Sequence, residues 1–119
     1  MKALALHRVL WLLPLWAGAA VAQEADEPYA RYQAVLREAI AREWRPSAEV
    51  PAGARCKVVI RQLPGGDVLE AWAHPDCAFG DRDRDLLEEA VLRAQPLPYR
   101  GHEREFSRLL ALTFEAPGR

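Results

Sequence analysis

Two β-type runs separated by Pro64-Gly65-Gly66, with a cysteine near each outer end, constrain this chain more than any other feature. Residues 56–63 (CKVVIRQL) and 67–74 (DVLEAWAH) contain many β-branched and apolar side chains. A Pro-Gly-Gly break between two such runs is typical of a β-hairpin. The sequence therefore predicts two antiparallel strands, with Cys56 at the start of the first and Cys77 shortly after the second.

The length of the turn decides which residues of the two predicted strands face each other. If Gly65-Gly66 is a two-residue turn, Arg61 lies opposite Glu70, and opposite charges on neighbouring strands stabilise an antiparallel ladder. The same register gives these further pairs: Val59 with Trp72, Lys57 with His74, Val58 with Ala73, and Ile60 with Ala71. We expect the face that carries Val58 and Ile60 to be buried, and Trp72 to lie on the outward face, either under a helix flank or at an interface.

The N-terminal segment has the three parts of a secretory signal peptide. Met1–Arg8 carries two basic residues and no acid, and Val9–Ala22 is uncharged and ends in an Ala-x-Ala-like triplet. We predict a signal peptide at residues 1–22, cleaved before Gln23. An uncleaved membrane anchor is the alternative, although the apolar run contains Pro14 and is shorter than the roughly 20 residues that span a bilayer.

The two cysteines are predicted to form a disulfide. An even pair in an exported chain favours one structural bridge in an oxidising compartment. In the register above, Cys56 lies opposite Pro75, two residues before Cys77, so a bend at Pro75-Asp76 brings the sulfurs together. A bridge that closes the loop from 56 to 77 stabilises the fold by about 3 kcal/mol.

Helices are predicted on both sides of the hairpin. Apolar residues at steps of three and four between Tyr29 and Trp44 mark one helix, whose aromatic residues are expected in the core: Tyr29, Tyr32 and Trp44. A second helix begins at Asp81, with Asp81 or Asp83 as a solvated N-cap, and ends before Pro96. Alternation in Arg108–Glu115 predicts a third strand.

These elements define one small domain. A short polar lead at residues 23–30 precedes the domain at 31–117. The order helix, strand, strand, helix, strand predicts an α+β fold, in which a small three-stranded antiparallel sheet packs against two helices and carries one disulfide. The last strand is expected at an edge of the sheet, where an extended peptide can pair with free backbone groups.

Composition and motifs argue against several classes of function. A net charge of −1 over 119 residues is not the basic footprint of a nucleic-acid-binding protein. His74, Asp76 and Cys77 are close in sequence, but Cys77 has a partner in Cys56. His74 and His102 lack the spacing of a zinc site. We therefore predict no catalytic residue, no metal and no cofactor.

From Tyr32 to Pro117 the chain resembles the C-terminal domain of the TolA/TonB family, and TolA more closely. The matching residues together cover most of the chain after the predicted signal peptide: Tyr32 through Trp44 with Pro46, Cys56 through Ile60, Pro64 through Val68, Cys77, Ala90 through Ala94 with Pro96-Leu97-Pro98, Phe106, and Leu112 through Phe114 with Pro117.

The resemblance implies a non-enzymatic periplasmic protein-binding module of the cell envelope. Its partners would be envelope proteins of a Tol-Pal-like or TonB-like system, bound by strand addition along Leu109, Leu110, Ala111, Leu112, Thr113 and Phe114. Family members carry an uncleaved anchor and a long spacer, whereas residues 23–30 alone follow the predicted signal here. If the signal is cleaved, no stable membrane span remains, so only the fold and the binding mode carry over. The alternatives are a small secreted enzyme or inhibitor on this scaffold, and a structural domain that forms a weak homodimer through its edges.

Overall fold

The structure is a computed structural model that describes residues 13–118, with side chains described from residue 27 onward. Its elements in chain order are α1 (Leu13–Glu43), β1 (Arg55–Gln62), β2 (Val68–Ala73), α2 (Asp81–Arg93) and β3 (Leu109–Glu115). The three strands form one antiparallel sheet in the order β2-β1-β3. The predicted α+β class and the predicted order of elements are confirmed.

The first helix begins within the predicted signal peptide. Residues 1–12 of that segment lie outside the described part of the chain, and residues 13–22 form the first turns of α1. The polar lead at 23–30 is helical as well, so α1 continues through it into the domain. Within the described residues, no helix combines the length and apolarity needed to cross a membrane. The division into signal, lead and domain stays a prediction.

The hydrophobic core lies between the two helices and one face of the sheet. Side chains at helical spacing on both helices meet inward-facing side chains of β1 and β3: Tyr32, Leu36, Ile40, Leu87, Ala90, Val91, Val58, Ile60, Leu112 and Phe114. The predicted buried face of the hairpin is confirmed. Tyr29, which was predicted in the core, is 50% exposed, because it lies one turn before Tyr32, where the core residues of α1 begin.

The hairpin pairs as predicted, but its loop is one residue longer than the two-residue turn. Arg61 lies opposite Glu70, and their side chains form an ion pair at 3.3 Å. The Leu63 amide donates to Asp67, so Pro64, Gly65 and Gly66 form a three-residue loop. A bulge between Arg61 and Gln62 then restores the expected register.

Proline is the physical reason for the longer loop. Pro64 suits the second position of a β-turn, and Gly65, with φ of 100°, suits the third. The Gly66 amide closes this turn on the Leu63 carbonyl at 2.9 Å. Gly66 itself has φ of 98°, and the Leu97 amide donates to its carbonyl at 2.8 Å. A Cβ on Gly66 would collide with the Leu97 backbone.

The predicted aspartate cap of α2 is wrong. Gly80 is the N-cap residue, and no side chain caps the helix. Asp83 is buried instead, and its carboxylate accepts hydrogen bonds from the Ser47 amide at 2.8 Å and the Ser47 hydroxyl at 2.6 Å. A buried carboxylate needs such partners, and here it connects the start of α2 to the loop after α1.

The predicted disulfide joins Cys56 and Cys77, which are 21 positions apart in sequence. Cys56 is an inward-facing residue of β1, and Cys77 follows β2, so the bridge closes the open end of the hairpin. Both residues are buried in the core. The chain around the bridge is further held by the Ala78 amide, which donates to the Arg55 carbonyl at 2.9 Å.

Candidate functional site

The candidate site is the free edge of β3. Because β1 lies at the centre of the sheet, β3 pairs with β1 on one side and with no other strand in the described chain on its other side. The predicted edge position of the last strand is confirmed. Antiparallel edges of this kind carry backbone donors and acceptors that another extended chain can pair with.

The register determines which residues of β3 direct their backbone amides and carbonyls toward the free edge. At the two ends of the pairing, the Gln62 amide donates to the Arg108 carbonyl, and the Ala116 amide donates to the Ala54 carbonyl, both at 2.8 Å. The register between these ends is unbroken. Since bonded and non-bonded pairs alternate along an antiparallel ladder, the even-numbered residues bond β1. The amides and carbonyls of the odd-numbered residues therefore point away from the sheet: Leu109, Ala111, Thr113 and Glu115.

One outward-facing group of β3 already has a partner. The Ser107 hydroxyl donates to the Leu109 carbonyl at 2.8 Å, which covers the beginning of the strand. No hydrogen bond within the described residues reaches the outward backbone groups of Ala111 or Thr113. The part of the edge available to a partner strand is therefore centred on these two residues.

The opposite edge of the sheet is capped at both ends. The Ala73 amide donates to Glu88 Oε2 at 2.7 Å, and the Val68 amide donates to Gln95 Oε1 at 2.8 Å. Glu88 lies on α2, which packs over β2. A strand added at β2 would have to displace both side chains. Side chains thus block both ends of the β2 edge, whereas within the described residues they block the β3 edge only at its beginning.

The six residues predicted to bind a partner divide into two sets with different surroundings. Leu110, Leu112 and Phe114 point toward the helices, and the last two are buried, so these three belong to the core side of the strand. Leu109, Ala111 and Thr113 lie on the other face, and Leu109 is 55% exposed. The geometry therefore assigns the outward backbone and the accessible side chains to the odd-numbered set.

A buried polar contact holds the segment that leads into β3. Gln62 is 1% exposed, and its Nε2 donates to the Tyr32 hydroxyl at 3.0 Å and to the Ser107 carbonyl at 2.9 Å. Burial raises the pKa of the Tyr32 phenol above its usual value, while the hydrogen bond from Gln62 acts in the opposite direction. Gln62 was not among the residues predicted from the sequence, although a polar residue at an inward position of β1, after Val58 and Ile60, is a signal for such a contact.

Aromatic side chains hold the other end of β3. The Trp44 ring stacks on Phe79 with 5.8 Å between centroids and forms a T-shaped pair with Phe114 at 5.9 Å. Phe114 lies opposite Cys56 in the ladder, so this end of the strand is next to the disulfide. Trp44, which was predicted in the core, is half-buried at its margin. The edge strand is thus fixed at both ends and is suited to act as a rigid template.

The face of the sheet away from the helices, here called the uncovered face, continues onto the free edge. It comprises the outward side chains of the three strands: Arg55, Lys57, Val59, Arg61, Glu70, Trp72, Leu109, Ala111, Thr113 and Glu115. Trp72 and Val59 are half-buried, and Ala111 completes their row at the free edge. The outward placement of Trp72 agrees with the prediction.

The residues considered for chemistry make structural contacts. His74 Nδ1 lies 2.7 Å from Asp76 Oδ1, and Cys77 is held in the disulfide, so it offers no thiol nucleophile. His102 packs against the Tyr32 ring with 5.5 Å between centroids, far from that pair in the chain. In the part of the chain that the structure describes, no group of three or more His, Cys, Asp or Glu side chains could hold a metal ion.

Comparison with known proteins yields a likeness in fold. The chain is similar to a solved structure described as the solution NMR structure of TolAIII bound to a peptide derived from the N-terminus of TolB. The TM-score is 0.53 at 21% sequence identity, and the likeness covers 73% of each chain. No family model and no curated protein matches the sequence. The chain therefore has a TolA C-terminal-like fold.

Proposed function

We propose that this domain is a non-enzymatic protein-binding module of the periplasm, which binds an extended segment of a partner as an additional strand beside β3. The observation that carries the proposal is that the outward backbone groups of Ala111 and Thr113 have no hydrogen-bond partner within the described residues, on a strand whose other side pairs with β1. In strand addition, main-chain hydrogen bonds supply affinity and alternate side chains supply specificity.

The contrast between the two edges supports this choice of site. A free edge is an aggregation hazard, and proteins commonly cover their edges. Here Glu88 and Gln95 bond amides at both ends of the β2 edge, whereas within the described residues a side chain bonds the β3 edge only at its beginning, at the Leu109 carbonyl. An edge blocked at one end, on the same sheet as an edge blocked at both ends, is consistent with use in binding.

The fold comparison and the sequence together support the choice of partner. The similar solved structure is TolAIII with a peptide derived from TolB. By analogy, the partner here is an envelope protein of a Tol-Pal-like or TonB-like system. The predicted signal peptide at residues 1–22 and the Cys56–Cys77 disulfide support a periplasmic location, because structural disulfides persist in oxidising compartments.

Amide hydrogen exchange combined with affinity capture tests the proposal. In the free protein, the Ala111 and Thr113 amides should exchange faster than those of Leu110 and Leu112, which bond β1. A partner segment captured from an envelope extract should slow exchange at Ala111 and Thr113 and change Leu110 and Leu112 little. Binding that leaves the Ala111 and Thr113 amides unprotected would refute strand addition at β3.

A proline variant separates this edge from other surfaces. Ala111→Pro removes an outward amide and no bond to β1, and proline is tolerated on the solvent side of edge strands. Affinity should fall at least about tenfold, since a hydrogen bond is lost and the ring blocks the incoming chain. Ala111→Ser keeps the amide and should bind normally. Retained binding by a folded Ala111→Pro variant would exclude this edge.

The same edge supports one further candidate, a weak homodimer in which two β3 strands pair. Sedimentation of the exported form over a range of concentrations distinguishes this homodimer from a monomer that binds a different partner. A mass that stays that of a monomer at every concentration excludes self-pairing. A mass that rises with concentration in the wild type and not in Ala111→Pro would favour it.

A further inference from the structure

The side chains that a partner strand needs can be inferred from the uncovered face, an inference that rests on the function proposed above. A strand added at β3 places every second one of its side chains on that face. The backbone groups of Ala111 and Thr113 point outward, and in either strand direction the partner residues directly opposite them have their side chains on the same face. Side chains of neighbouring strands on one face are in contact distance. The residues already present on this face therefore determine which partner side chains fit.

The position beside Ala111 is apolar. Ala111 ends a row that begins with Trp72 and continues through Val59, and both of these are half-buried. Leu109, one position along the same face, is 55% exposed. Because Ala111 is small, a larger partner side chain can lie over its methyl group and reach Val59. An apolar side chain there would remove exposed apolar surface from water.

The position beside Thr113 is next to an unpaired positive charge. Lys57 lies opposite Thr113 on β1, and its ammonium group makes no ion pair within the described residues. Among the other charges on this face, Arg61 pairs with Glu70 at 3.3 Å and His74 contacts Asp76 at 2.7 Å. Arg55 and Glu115 lie opposite each other at the end of the ladder, beyond Lys57 and Thr113. Lys57 is long and flexible enough to extend past Thr113 toward the edge.

We propose that the domain recognises an extended segment with an apolar side chain beside Ala111 and a carboxylate beside Thr113, two residues apart. The apolar residue covers the row of Trp72, Val59 and Ala111, and the carboxylate neutralises Lys57. Each preference belongs to a position along β3, so it applies whether the added strand runs parallel or antiparallel to β3.

Synthetic heptapeptides test this rule. The probe peptides carry Leu-Thr-Glu or Glu-Thr-Leu at the centre, with threonine elsewhere to favour extended structure. Matched peptides replace the glutamate by lysine or the leucine by serine. Isothermal titration with the disulfide-bonded protein should show that one of the two glutamate peptides binds about fivefold more tightly than its lysine counterpart, as expected when an exposed ion pair becomes a repulsion. Replacing leucine by serine should weaken binding to a similar extent.

The variant Lys57→Glu provides the decisive comparison. The substitution lies on β1 and removes no backbone group from the free edge, so it should reverse the preference and favour the lysine peptide. Circular dichroism and a disulfide assay establish that the variant is folded. An unchanged preference for glutamate in the folded variant would overturn the rule, as would equal binding of the glutamate and lysine peptides to the wild type.

These experiments test the rule for partner side chains separately from strand addition at β3. If the heptapeptides fail to bind at millimolar concentration while a captured segment protects the Ala111 and Thr113 amides, the rule is wrong and strand addition stands. If the peptides bind and Ala111→Pro has no effect on them, both ideas are wrong. Reversal by Lys57→Glu together with loss of binding in Ala111→Pro supports both.

Discussion

Breaking the disulfide should lower the free energy of unfolding by an amount that can be worked out from the length of the loop it closes. Cys56 and Cys77 are 21 positions apart, and the bridge restricts that loop in the unfolded chain. The loop-closure entropy for this length corresponds to about 3 kcal/mol at room temperature. Single domains unfold with free energies of about 5–15 kcal/mol, so the loss is a substantial fraction of the total.

Urea unfolding followed by tryptophan fluorescence measures this loss. Trp44 packs on Phe79 and Phe114 close to the bridge, so its emission should report the transition. With a urea slope of about 1.5 kcal/mol per molar, reduction should lower the midpoint by about 2 M. The double variant Cys56→Ala/Cys77→Ala should fall at least as far, because it also leaves a small cavity in the core.

Reoxidation is the control, and it should restore the original midpoint. Mass spectrometry should show that the native form is lighter by two hydrogens than the dithiol. A midpoint that moves by less than about 0.5 M on complete reduction would refute the argument. It would mean that the hairpin is already restricted in the unfolded chain or that strain in the folded state offsets the entropy.

The remaining predictions concern the hairpin loop and the buried phenol. Gly66→Ala should lower the unfolding free energy by about 2 kcal/mol more than Gly65→Ala. Both glycines have positive φ, but of the two only Gly66 would place a Cβ against the Leu97 backbone. Equal midpoints of the two variants in thermal or urea unfolding would contradict this prediction. Because burial raises the folded pKa of Tyr32, its contribution to stability should be present below the usual value near 10 and be lost as pH rises through the folded pKa. Urea midpoints of the wild type should therefore fall more steeply above about pH 10 than those of Tyr32→Phe, and parallel curves would contradict the assignment.

Local patterns were enough to predict the strand pairing and the edge position. The alternation of apolar residues fixes the inward face of β1, and a slip by one residue would have turned Val58 and Ile60 toward solvent. The Arg61–Glu70 pair is consistent with the same register. With a hairpin and one later strand, the simplest order places β1 in the centre, and the structure has this order.

Contacts between distant segments could not be predicted from those patterns. Ser47 and Asp83 are 36 positions apart, and nothing local to Asp83 distinguishes a buried acceptor from a solvated cap. The Gln62 contacts to Tyr32 and Ser107 span 30 and 45 positions. The residues of β3 that direct their backbone groups toward the free edge could likewise not be predicted from the sequence. They depend on which residue pairs of β1 and β3 are hydrogen-bonded.

The capping of β2 by Glu88 and Gln95 limits what this domain can assemble into. A strand added at β2 would have to displace both side chains, so growth of the sheet is favoured at β3 alone. Two copies joined through β3 would present only capped borders to the outside, and their association would terminate at that pair. A chain with an exposed edge strand would thereby avoid the continuous stacking that leads to fibrils.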